Sequence, residues 1–90
     1  MKREVVNIMG MILHQWTNGG CVAKFAVNEK ESWATLYDIE STNQGKGEAT
    51  ELLREAKKFY EDKELEFGGS VALNEKIRGI YKKLGIKEYN

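Results

Sequence analysis

Gln44-Gly45-Lys46-Gly47-Glu48-Ala49 is the stretch of this chain best suited to hold a ligand. Alternating, strand-like sequence precedes it (Trp33 to Glu40), and helix-like sequence from Ala49 to about Tyr60 follows. Two glycines at a strand-to-helix junction allow a sharp turn that aims several backbone N–H groups at one point. That point lies at a helix N-terminus, where unpaired amides and the helix dipole favour an anion such as a phosphate or pyrophosphate. Spacing excludes two common phosphate loops. No Gly-x4-Gly-Lys-Ser/Thr string occurs, and the third glycine of a dinucleotide fingerprint would fall at Thr50.

The spacing resembles the Gln/Arg-x-x-Gly-x-Gly/Ala motif of the GNAT superfamily of acyl-CoA-dependent N-acetyltransferases, with Gln44, Gly47 and Ala49 on its defining positions. Downstream, Leu73-Asn74-Glu75-Lys76-Ile77-Arg78-Gly79-Ile80-Tyr81-Lys82-Lys83-Leu84-Gly85-Ile86 is similar to the family's Asn-(six residues)-Tyr-x-x-Leu-Gly-Phe signature, with Ile86 in place of Phe. The two motifs stand in the family's order, separated by a helix and a strand, and the resemblance runs from about Trp33 to Ile86.

The resemblance implies a cofactor, acetyl-CoA, and a set of roles. Gln44, Gly45, Lys46, Gly47, Glu48 and Ala49 would bind the coenzyme A pyrophosphate, mainly through main-chain N–H groups. Ile39 stands where the strand main chain would hydrogen-bond the pantetheine arm and the acyl carbonyl. Its side chain also suits a plain core position. Asn74 would contact the pantetheine region, and it is equally a good helix N-cap. Tyr81 would be the general acid for the leaving thiolate. A phenol with a pKa near 10 is protonated at neutral pH, although the position also fits core packing with Ile77 and Leu84. Tyr37, Asp38, Glu40 and His14 are candidates for a general base, each better read as structural or exposed, and none is assigned. Water can deprotonate the amine in direct transfer. The expected reaction is attack of a primary amine, from a small molecule, peptide or protein, on the thioester. A reduced, non-catalytic module binding coenzyme A or a protein partner is the alternative.

The elements needed to position these groups are legible in outline. Val5 to Trp16 reads as a first strand centred on Met11-Ile12-Leu13, and Asn18-Gly19 as a hairpin turn. Cys21 to Val27 reads as a second strand. Trp33 to Glu40 is a third, with Trp33, Thr35, Tyr37 and Ile39 on one face. Ala49, Leu52, Leu53, Ala56, Phe59 and Tyr60 repeat at the spacing of one buried helix face. Leu65 to Ala72 is a fourth strand, its Gly68-Gly69 pair marking a bulge or a place where another backbone or a ligand comes close. Ile77, Ile80, Tyr81 and Leu84 form the stripe of a second helix closed by Gly85. The fold class is therefore α/β (α+β): a mixed sheet in which an antiparallel N-terminal meander leads into strand, helix, strand, helix. By resemblance it is GNAT-like and truncated, residues 1–90 forming one minimal acyl-CoA-binding domain. The helical pair and final strands that build much of the family's acceptor site are not apparent, which leaves three alternatives: a site supplied by a second copy, an open groove suited to a protein or peptide, or no acceptor site.

Composition narrows the classes. Ninety residues, with 31% charged and both signs mixed, describe one globular domain. Lys+Arg and Asp+Glu are both 14, which argues against a nucleic-acid or membrane binder driven by charge. One cysteine, Cys21, and one histidine leave no intramolecular disulfide and no ordinary zinc site. Cys21 is expected in the core, and Trp16 and Trp33 in the core or at an interface. Glu4, Asn7 and His14 interrupt any signal-peptide core after Met1-Lys2-Arg3, and no apolar run approaches the roughly 20 residues of a membrane span. A reducing cytoplasm is the expected setting.

Overall fold

A computed structural model of the chain describes residues 1–42, 47–72 and 74–89. Of the expected loop, Gln44, Gly45 and Lys46 lie outside the described residues, as does Leu73 at the start of the second motif. The elements run β1 (Lys2–Ile8), β2 (Met11–Asn18), β3 (Cys21–Asn28), β4 (Trp33–Ser41), α1 (Glu48–Asp62), β5 (Glu66–Gly69), α2 (Glu75–Leu84) and β6 (Lys87–Glu88). The strands form one sheet in sequence order. β1 to β4 are antiparallel, whereas β4–β5 and β5–β6 are parallel. An α+β domain with a mixed sheet is thus observed, as expected.

Three sequence expectations need correction. The meander has four strands, because Val5 to Trp16 is split by a turn at Met9-Gly10. Both residues there have positive φ, 52° and 80°, as a tight primed hairpin turn requires. Methionine gives no sequence signal for that conformation, so the apolar run reads as continuous. The next hairpin pairs Asn18 with Cys21, which makes Gly19-Gly20 its loop. Gly19 has φ 59°, and a Cβ there would strike the Glu48 carboxylate. The third correction concerns the face of Ile39. Phe25 pairs with Leu36 but Lys24 pairs with Asp38, so Tyr37 is an extra residue, a β-bulge. The bulge moves Ile39 onto the buried face with Ala34 and Leu36, while Tyr37 is exposed.

Buried residues from both helices join β2 to β5 in one core. At its centre Tyr60 lies among Trp16, Phe25, Phe59 and Phe67, with ring centroids 6.0, 5.5, 5.2 and 5.9 Å away. Trp16 Nε1 donates to the Tyr60 hydroxyl at 3.0 Å, and that hydroxyl lies 2.9 Å from His14 Nδ1. In the arrangement that satisfies all three groups, Tyr60 donates to a neutral His14 that carries its proton on Nε2. Cys21 is fully buried, Trp16 is in the core, and Trp33 stays 37% exposed at the sheet margin.

His14 links this core to pH. Burial, then the Arg3 and Lys63 cations, hold its pKa below the usual imidazole value, and Glu29 opposes them. The unfolded chain therefore takes up a proton at a higher pH than the folded one. The stability that the neutral imidazole supplies is present above about pH 6.5 and is lost as pH falls through the lower folded value. Thermal unfolding between pH 7.5 and 5.5 should show a falling Tm, and a His14→Phe variant should show a flatter dependence over that window. Equal slopes for the two proteins would remove His14 from this account.

Candidate functional site

The site begins where β4 and β5 part. Their pairing runs from Trp33–Glu66 to Leu36–Gly69, and the Ser70 N–H then donates to the Leu36 carbonyl at 3.1 Å. Beyond that bond β4 continues to Ser41, paired with β3 on its other edge, and among the described residues no strand pairs with it on the β5 side. The Tyr37 bulge falls at the same point, so ladder pairing ends on one side and is offset on the other. A small open notch results, lined by Leu36, Ile39, Ser70, Val71, Ile77 and Tyr81, with Tyr37 and Asp38 at its β4 wall. Backbone groups on an unpaired strand edge can hydrogen-bond an extended ligand as a missing strand would.

Tyr81 reaches this notch from α2. Its ring is buried, and its hydroxyl donates to the Ser70 carbonyl at 3.0 Å. Burial, with the nearby Glu88 carboxylate, pushes the phenol up to about 12. Gly69 makes the approach possible, since any Cβ there would collide with the Tyr81 ring and hydroxyl. Gly68 plays the same part for the Tyr89 ring. The glycine pair therefore marks a close approach, but by tyrosine side chains of the chain itself and not by the other backbone or ligand that its sequence suggested.

Asn74 caps α2, its Oδ1 accepting from the Ile77 N–H at 3.0 Å. Glu88 fastens the connection before it. One of its oxygens accepts from the Ala72 N–H at 2.9 Å, and Arg78 reaches both oxygens at 3.3 and 3.4 Å. The backbone bond to Ala72 is the first cause holding the Glu88 carboxyl below its ordinary pKa, followed by the Arg78 bond. No spacing rule pairs Glu88 with Ala72 and Arg78, so this clamp gives no sequence signal.

At the other end of the candidate site, α1 starts from Gly47, which is left-handed at φ 72° and offers no side-chain cap. The first-turn N–H groups of such a helix lack intrahelical partners. Glu48 is tied to the β2–β3 turn: its Oε1 accepts from Gly20 N–H at 3.1 Å, and its carbonyl accepts from the Asn18 amide at 3.0 Å. The Thr42 N–H donates to the Gly20 carbonyl at 3.0 Å. Thr42 and Glu48, which flank residues 43–46, are thus both anchored on Gly20. Ala49 is buried in the core beneath this turn.

Ile39 and Tyr81 line one notch, and Gly47, Glu48 and Ala49 form one helix start. Asn74 does not line the notch, and the structure shows it as a cap. Sequence reasoning missed Ser70, whose carbonyl receives the Tyr81 hydroxyl, and missed the bulge that exposes Tyr37. Among the described residues no cluster of acidic, His and Cys side chains could hold a metal ion, and no helix is long and apolar enough to cross a membrane. Compared with protein families, curated proteins and solved structures, the chain shows no significant match to any of them.

Proposed function

We propose that the chain is a small, GNAT-like N-acyltransferase that takes an acetyl group from acetyl-CoA to a primary amine. The observation that carries this reading is the parting of β4 and β5 beside the Tyr81 hydroxyl. An extended pantetheine arm can hydrogen-bond a partnerless strand edge of this kind, and the β4 edge from Tyr37 to Ser41, unpaired on the β5 side among the described residues, suits it. The bulge at Tyr37 falls at the same point, where it offsets the pairing of β4 with β3 beside the notch. Gly47 and the first-turn amides of α1 suit the pyrophosphate through backbone N–H groups and the helix dipole. Because Glu48 is engaged by Gly20, its carboxylate is drawn toward the β2–β3 turn.

The thioester supplies an activated acyl carbon, and what remains for the protein is orientation and charge stabilisation. As the amine nitrogen attacks, the developing negative charge on the carbonyl oxygen is met by β4 main-chain N–H. Water accepts the proton that the nitrogen loses. Tyr81 then donates a hydrogen bond to the departing thiolate. With the phenol pushed up to about 12 it stays protonated at neutral pH, which keeps the hydrogen-bond donor in place and makes full proton transfer to the thiolate less favourable. Its ground-state bond to Ser70 must be exchanged for one to sulfur, which strengthens as charge develops there.

The second reading, a non-catalytic coenzyme A-binding module, is favoured by that same Tyr81–Ser70 bond, since it occupies the donor. The acyltransferase and the coenzyme A-binding form of the second reading both require the cofactor site, whereas a module binding only a protein partner does not, so binding is tested first. Titration calorimetry with acetyl-CoA should give one site per chain, and Gly47→Glu should weaken it by about a hundredfold or more through charge repulsion and loss of the turn. The variant should remain folded, because the space where a Cβ would project from Gly47 is open, leaving about 1–2 kcal/mol of left-handed strain. Unchanged affinity in that variant would sink the acyltransferase and the coenzyme A-binding module alike.

A further inference from the structure

Among the described residues β1 is the long open edge of the sheet: it pairs there with β2 alone, while the opposite edge, β6, spans two residues. Its ladder with β2 runs without a bulge, and the chain has no proline to interrupt it. The usual devices that protect an edge are thus missing, apart from charges gathered at its first half, Lys2, Arg3 and Glu4. Large apolar side chains stand exposed along the same hairpin: Val5 at 63%, Met9 at 100% and Ile12 at 61%, with Met1, Ile8 and Met11 near half. Apolar exposure concentrated on an unpaired edge marks an association surface.

We propose that the occupant is a second copy of the chain, joined by antiparallel pairing of β1 with β1 across a two-fold axis at Val5, so that one sheet runs through both copies. The inference does not depend on the acyltransfer reading. Three features select a second copy. Val5 is the midpoint of Lys2–Ile8, so this register alone pairs all seven residues with their counterparts. It sets Lys2 opposite Ile8, Arg3 opposite Asn7 and Glu4 opposite Val6 of the second copy, so the charged half of each strand meets the uncharged half and no like charges face directly. The Lys2 methylenes can lie over the exposed Ile8, and Met1 falls beside the exposed Met9. Thirdly, the formal net charge of zero imposes no overall repulsion between copies.

A membrane-inserted hairpin tip would also use Met9 and Ile12. It would leave Val5 at mid-strand uncovered, and Lys2 and Arg3, the cations that an anionic surface would attract, stand at the strand end remote from the tip. A strand pair of about 24 Å is at the small end of stable interfaces, so the dimer should depend on concentration, with micromolar dissociation.

Sedimentation velocity from about 5 to 500 µM tests this. Wild type should shift from monomer to dimer across the range. Val5→Lys and Val5→Glu, each made at an exposed position, should stay folded and weaken the dimer about tenfold or more, because like charges then face one another at the axis. An equimolar mixture of the two variants should restore dimerisation, which a merely structural effect at position 5 would not do. Three results would overturn the proposal: a wild type monomeric throughout, a Val5→Lys dimer as strong as wild type, or monomers that cosediment with anionic phosphatidylserine vesicles through the hairpin.

Discussion

Replacing Tyr60 with alanine should remove most of the stability of this domain. The side chain is fully buried and touches four aromatic neighbours, stacking on Phe67 at an interplanar angle of 14°. Truncation of a buried aromatic costs about 3–5 kcal/mol through lost burial and the cavity left behind. It also strands the Trp16 N–H and the His14 ring nitrogen that the hydroxyl satisfies, adding about 1–3 kcal/mol for a buried unpaired group. A chain of this length has about 5–13 kcal/mol in all, so the variant should be largely unfolded at physiological temperature. Tyr60→Phe separates the two contributions. It keeps the ring contacts and loses the hydroxyl alone, at about 1–2 kcal/mol. Urea unfolding followed by tryptophan fluorescence gives both values from the midpoints. A loss below about 1 kcal/mol in the alanine variant would mean that the aromatic cluster is not the centre of the core.

Tyr81→Phe should lower kcat for acetyl transfer by about a hundredfold or more, the range set by removing a positioned proton donor. The KM for acetyl-CoA should change little, because the proposed partner of the hydroxyl is the leaving sulfur and not a ground-state group. Loss of the bond to the Ser70 carbonyl should cost about 1 kcal/mol of stability, so the variant remains folded and the kinetic effect is separable. Steady-state kinetics with an amine acceptor, reading thiol release, measures the split. An unaffected kcat in a variant that still binds acetyl-CoA would leave Tyr81 as a packing residue and favour the non-catalytic reading.

How much of this was legible depends on whether the signal is local. The stripe of α1, Ala49, Leu52, Leu53, Ala56 and Tyr60, is a local periodicity, and the helix lies where it predicts. Asn74 as N-cap and Gly85 in the left-handed C-cap position were readable for the same reason: each residue type suits the backbone position it holds. The turn at Met9-Gly10 was not readable, because positive φ at methionine is imposed by the pairing of β1 with β2 and has no compositional mark. Ile39 was read on the wrong face for a related cause. Strict alternation holds from Trp33 to Leu36, and a bulge, which depends on how β3 and β4 meet, reverses the phase afterwards. At the candidate site, Gly68-Gly69 announced a close approach but not its partners. That the partners are Tyr89 and Tyr81 follows from where α2 returns the chain, a tertiary fact. Ser70 and Glu88 act through contacts 11 and 16 residues away in sequence, and neither residue type is unusual at its position.

The most direct test of the central claim is a titration of the isotopically labelled protein with acetyl-CoA, followed residue by residue through backbone amide chemical shifts. The account predicts saturable changes concentrated on Tyr37, Asp38 and Ile39 of β4, on Ser70 and Val71 after β5, and on the first turn of α1 from Gly47 to Ala49. Adenosine should leave the β4 and β5 amides unmoved. Shifts absent at millimolar acetyl-CoA, or confined to the β1–β2 hairpin, would contradict the claim that the parting of β4 and β5 is a cofactor site.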